Sequence, residues 1–143
     1  MSRNGRAEDQ HFENDELLFR RYLREHFVGN RMIDVYFPFP ISLNRQKYSI
    51  PQDVIFAEDG RIDGWGVLEF RVNQVALELL HENAQYFFFP KHAPEETNYS
   101  HTETRCSHTL NHTPEINISS AAKKKYRVML SQQDPTVRIP ARK

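Results

Sequence analysis

The sequence predicts an α+β fold: an N-terminal helix packed on a mainly antiparallel sheet of about four or five strands, with one or two further helices. Three observations support this. Leu17 to Phe27 carries apolar side chains at helical spacing. Trp65 to Val72 alternates as a strand does, with Trp65, Val67 and Glu69 on one face and Leu68, Phe70 and Val72 on the other. Aromatic residues make up 12% of the chain, which is more ring surface than disordered polypeptides carry.

The elements follow in chain order. Residues 1–12 read as a flexible polar segment. Asn14 or Asp15 offers an N-cap for a helix whose acids come early, whose Arg20, Arg21, Arg24 and His26 come late, and whose stop is Gly29-Asn30. Its three arginines are a solvated face or, alternatively, a phosphate-binding one. Met32 to Phe37 alternates as a strand ended by Pro38 and Pro40. Ile41 to Gln52 reads as a polar connection pinned by Ile41, Leu43, Tyr48 and Ile50. Asp59-Gly60 and Asp63-Gly64 supply turns before the strand at Trp65. Gln74 to Glu82 has the spacing of a short crossover helix. Tyr86 to Phe89 reads as a buried strand stopped by Pro90, its rings pointing alternately to both faces. From Lys91 to Pro114 the apolar pattern disappears, which predicts an irregular segment. Pro114 to Ile118 fits a short strand, and Ser119-Ser120 caps a segment to Gln133 that suits a helix slightly better than a strand. A single domain over residues 13–134 is followed by a basic tail, 135–143.

The charge pattern limits the function classes. Nineteen basic and nineteen acidic side chains balance, so no global field draws the protein to nucleic acid or an anionic membrane. The balance is local, however: Lys123, Lys124, Lys125, Arg127, Arg138, Arg142 and Lys143 face only Asp134 from Ser119 onward. One cysteine excludes an internal disulfide and fits a reducing compartment. No apolar run suits a membrane span, and the N-terminal residues lack the apolar core of a secretory signal, so a soluble cytoplasmic protein with no membrane partner is expected. On that expectation the three glycosylation-type triplets at Asn98, Asn111 and Asn117 are chance matches.

Chemistry concentrates in the histidine-rich segment. His101, Glu103, Cys106, His108 and His112 offer imidazole, carboxylate and thiol donors suited to zinc or another divalent transition metal. His101 and Glu103 share one side of a strand, and His108 and His112 have helical spacing. No HExxH, no paired CxxC and no zinc-deaminase signature accompanies them. A metal-free alternative uses His101 as general base, Glu103 to orient it, and Arg105 or Arg45 to stabilise a phosphorane. A third option makes Cys106 a nucleophile activated by His101 or His108. Two functional classes therefore stand. The first is a small interaction or accessory module that uses aromatic- and Pro-rich surfaces near Tyr36 to Pro40 and the basic tail to bind a protein partner, or nucleic acid through that tail. The alternative is a small nuclease-like hydrolase of phosphodiesters, with or without metal.

Overall fold

The computed structural model describes residues 11–28, 31–32, 39–51, 66–95 and 98–141. The strand expected at Met32 to Phe37 lies mostly outside them, as do the Asp-Gly turns, Trp65 and the last two residues of the tail.

Leu17–Tyr22 is a strand, β1, where the sequence predicts a helix. A one-turn 3-10 helix, Arg24–His26, leads into the small ladder of β2 (Phe27–Val28) and β3 (Arg31–Met32). β1 runs antiparallel to β4 (Ser42–Arg45) on one side and β5 (Gly66–Arg71) on the other. Its two faces are both buried, Leu18 and Tyr22 in one apolar layer and Phe19 in the other. Apolar side chains on both faces leave Leu18 and Tyr22 four apart beside Leu17, Phe19 and Leu23, a spacing that fits a helix face as well as a strand buried on both sides.

The remaining elements are a second one-turn 3-10 helix (Gln46–Tyr48), α1 (Val72–Val75), β6 (Glu78–His81), β7 (Ala84–His92), β8 (His101–Ser107), α2 (Ser120–Ser131) and β9 (Thr136–Ile139). Seven strands form one antiparallel sheet in the order β6-β7-β8-β4-β1-β5-β9. The architecture is therefore a seven-stranded sheet crossed by one substantial helix among the described residues, not a four- or five-stranded sheet behind an N-terminal helix.

Two of the other departures, at β4 and β8, share a physical cause: inward positions filled by residues that do not look apolar. The expected connection at Ile41 to Gln52 contains β4, where the buried Ile41 just before the strand and the inward Leu43 are followed by a fully buried Arg45. The expected irregular segment contains β8, whose inward positions are Thr102, Thr104 and Cys106. Four residues of the expected tail form β9, laid against β5. In place of the helix at Gln74 to Glu82 the chain makes the single turn α1 and then β6, with Leu79 and His81 buried and Glu78 and Leu80 exposed. The β6–β7 hairpin turns at Glu82-Asn83, both with positive φ, as a two-residue turn requires. β7 runs through Pro90, which pairs with Thr104 on β8. β6 covers the other side of β7 only as far as Phe87, so the missing proline N–H breaks no ladder there. Pro114 to Ile118 contributes only an isolated bridge, Ser107 to Glu115.

The helix expected near Ser120 is present. The Ser119 hydroxyl accepts from the Ala122 N–H at 3.2 Å, and Ala122, Tyr126 and Leu130, spaced four apart, all turn inward. They join Leu18, Leu43, Leu68, Phe70, Phe88 and Cys106 in one core. Tyr126 stacks on Phe88 with centroids 3.9 Å apart and donates from its hydroxyl to the Val75 carbonyl at 2.7 Å. Thus the sheet has a face under α2 and an outer face. Phe19 and Val67 are buried on the outer face, packed against Ile139 of β9.

Candidate functional site

Register assigns each nominated residue to a face. Asn44 pairs with His101, and Ser42 with Glu103. Because Thr102, Thr104 and Cys106 turn inward, His101, Glu103, Arg105 and Ser107 line up on the outer face at every second position. The expectation that His101 and Glu103 share one side of a strand holds.

On that face four charges form a chain. Lys91 Nζ donates to Glu115 Oε2 at 2.6 Å, and Arg105 donates from Nη1 to Glu115 Oε1 at 3.0 Å and from Nη2 to Glu103 Oε1 at 2.6 Å. Burial works against the Arg105 charge, but the hydrogen bonds and negative charges of Glu103 and Glu115 outweigh it and raise the guanidinium pKa. Burial would likewise raise the Glu115 carboxyl, yet Lys91 and Arg105 together hold it below its ordinary value. Arg105 therefore spends its charge on two carboxylates instead of offering it to a phosphorane.

His101 is almost fully buried, and its Nδ1 lies 2.9 Å from the Ala93 carbonyl. A carbonyl only accepts, so Nδ1 carries a hydrogen, and Nε2 lies 4.0 Å from Glu95 Oε2. Beside it, Asn98 Nδ2 donates to Asn44 Oδ1 at 2.7 Å, and the Ser100 hydroxyl is 2.9 Å from the same oxygen. These contacts fix the turn that leads into β8.

Arg45 faces the other way. Its guanidinium makes a bidentate pair with Glu16, from Nε at 2.6 Å and from Nη2 at 2.8 Å, and Nη2 also donates to the His11 carbonyl at 2.7 Å. The Phe12 ring covers it at 3.8 Å. It clamps the segment before β1 to the sheet and does not meet His101. Cys106 also faces α2: burial pushes its thiol pKa up to about 11, against weaker lowering by the Ser107 and Phe87 backbone, the reverse of an activated nucleophile. Arg20 and Arg21 fall on opposite faces of β1, so with Arg24 they make no single phosphate-binding face.

His108 and His112 lie in the turn after β8. His108 Nδ1 is 2.9 Å from the Gln85 carbonyl, and the His112 ring stacks on Phe89 at 4.0 Å, nearly parallel. Burial lowers the His112 pKa. The five proposed metal ligands are thus spread over both faces and the turn. Among the described residues, no group of three or more His, Cys, Asp or Glu side chains comes together in a way that could hold a metal ion.

No protein-family model, curated protein or solved structure matches the chain. Its own residues must carry the functional reading.

Sequence reasoning passed over Lys91 and Glu115, which complete the charge chain. It also passed over Leu110, which at 74% is the large apolar side chain most exposed to solvent among the described residues. A signal for Leu110 existed: residues 106–114 contain no Asp, Glu, Lys or Arg in a chain that is 27% charged. Among the described residues no helix is long and apolar enough to cross a membrane.

Proposed function

We propose that this chain is a small interaction module whose outer β7–β8 face and adjoining 108–115 turn dock a protein partner. The observation that carries the reading is the chain Lys91–Glu115–Arg105–Glu103, whose four side chains stay partly exposed on the outer face. Alternating charges at fixed positions suit electrostatic recognition of a complementary protein surface, where they set register and specificity more than raw affinity. The dispersal of Arg45 and Cys106 to the other face weighs against the hydrolase alternative, which needs its groups within reach of one substrate. The basic tail supports nucleic-acid binding less than its composition suggests, because Arg138 pairs with Glu69 within the sheet.

One preparation tests both classes. The wild-type chain is assayed for metal content and for cleavage of a single-stranded RNA and of bis(p-nitrophenyl) phosphate, and is then used as an affinity bait beside Glu115→Lys. A partner retained in equimolar amount by the wild type, lost by Glu115→Lys, and no turnover above buffer is the expected result. Turnover that disappears in His101→Ala, with near-stoichiometric zinc or without it, would replace the module with the hydrolase.

A further inference from the structure

Leu110 stands at the apex of a turn that its neighbours hold rigidly. The Thr109 hydroxyl lies within hydrogen-bond distance of Asn111 Oδ1 and, at 2.7 Å, of the Thr113 carbonyl. Asn111 Oδ1 also accepts from the Thr113 N–H at 3.2 Å and from the Thr113 hydroxyl at 3.1 Å. The His112 N–H closes the turn on the Thr109 carbonyl at 3.1 Å, and His112 itself sits at positive φ. At the base, the Ser107 hydroxyl donates to the Pro114 carbonyl at 2.8 Å. Two rings fix the turn to β7: His108 beside Tyr86 at 4.9 Å and His112 stacked on Phe89.

An unneeded leucine in a mobile loop would carry no message. Here every polar side chain around it is engaged in shaping the turn, while Leu110 is 74% exposed. We propose that residues 108–113 form a pre-organised docking turn that seats the Leu110 side chain in an apolar pocket of a protein partner. The inference rests on the reading of the chain as a protein-binding module and names the contact that anchors it.

The chemistry of the turn selects the class of partner. Residues 106–114 carry no Asp, Glu, Lys or Arg, so the turn enters a dry pocket without stripping water from a formal charge. The same lack of basic residues disfavours nucleic acid, whose affinity comes from phosphate neutralisation. A bilayer is a poorer match as well. One leucine carries far less apolar surface than a myristoyl chain, which alone holds a protein at a membrane only marginally. A rigid turn instead lowers the ordering cost of docking, which is the advantage of pre-organised binding loops.

The test places a photoreactive benzophenone side chain at position 110 of the full chain, and in separate proteins at positions 50 and 42. Ile50 is 57% exposed and follows β4, near the opposite end of β8 from Leu110; Ser42 is exposed on the outer face. Each protein is irradiated in extract of the cells that make it, with the unlabelled full chain as competitor. The expected result is one discrete protein adduct from position 110, none from position 50, and competition by the full chain. The Leu110→Ala chain should compete at least ~tenfold less well, and the Asn111→Ala chain, which keeps the leucine but loses the central acceptor, about tenfold less well. A protein adduct from position 42 without one from position 110 would overturn the docking turn and leave the binding module standing. No protein adduct from either would overturn both. Lipid adducts from position 110 would overturn the assignment in favour of a membrane surface.

Discussion

Arg45→Ala gives the sharpest separation between a structural and a catalytic role for a residue that chemistry alone would nominate. The native side chain is fully buried, and its partner Glu16 has a side chain only 12% exposed. Truncation removes both charge-assisted hydrogen bonds to Glu16 and the one to the His11 carbonyl, and it leaves a gap under Phe12. Breaking a buried pair by deleting one member costs ~3–5 kcal/mol, because the remaining charge stays desolvated. Glu16 retains some access to water, which places the loss near the lower end, ~3 kcal/mol. That is a large share of the ~5–15 kcal/mol that holds a typical domain together. The assay is urea unfolding followed by far-ultraviolet circular dichroism, for Arg45→Ala, Glu16→Gln and the double variant. A coupling energy of ~2 kcal/mol is expected in the cycle. Replacing the pair together, as Arg45→Met with Glu16→Leu, should recover most of the loss, since buried pairs are often matched by apolar residues of similar size. A loss under ~1 kcal/mol, or strictly additive single variants, would refute the clamp.

Three more outcomes follow from the same geometry. Cys106, buried and with its thiol pKa at about 11, should resist Ellman's reagent at pH 8 in the native protein and react fully in urea; rapid native labelling would contradict its placement under α2. Gly66→Ala should destabilise by ~1–3 kcal/mol and loosen β9, because the added Cβ would lie 2.5 Å from both the Ile139 carbonyl oxygen and the Ala141 nitrogen; protease protection of residues 136–141 reads the result, and unchanged protection would contradict the β5–β9 pairing. The Glu115 carboxyl is held below its ordinary value of 4.5, so its contribution to stability is complete above that value and is lost as pH falls through the lower folded one. Acid titration of Glu115→Gln should therefore show a shallower fall in stability below pH 4.5 than the wild type, and parallel curves would count against the charge chain.

The parts of the fold legible in the sequence were those whose environment was simple. Gly66–Arg71 alternates cleanly because its Leu68 and Phe70 enter the core and its Val67 and Glu69 turn away. α2 announces itself through the Ser119 cap and three inward residues spaced four apart. β1 misled because it is buried on both faces, and β4 because its last inward residue is an arginine whose partner, Glu16, lies 29 residues earlier. β8 hid because two of its three inward positions are threonines, fully buried yet without an apolar signature. For the site, the i, i+2, i+4 spacing of His101, Glu103 and Arg105 did place them on one face once a strand was granted. What spacing could not convey was the long-range register: that Arg45 turns to the opposite face from His101, and that Lys91 and Glu115 arrive to occupy Arg105 and complete the chain.

The partition of these groups between two faces is the structural premise of the proposed binding surface, and NMR tests it directly. Cross-strand nuclear Overhauser contacts are predicted between Asn44 and His101, between Leu18 and Phe70, and between Phe88 and Cys106, with extended-chain chemical shifts across Leu17–Tyr22. Helical i to i+3 contacts over Leu17–Tyr22, or a register one residue out that brings Arg45 to the side of His101, would contradict the account, because a one-residue slip exchanges the faces of every side chain on the strand.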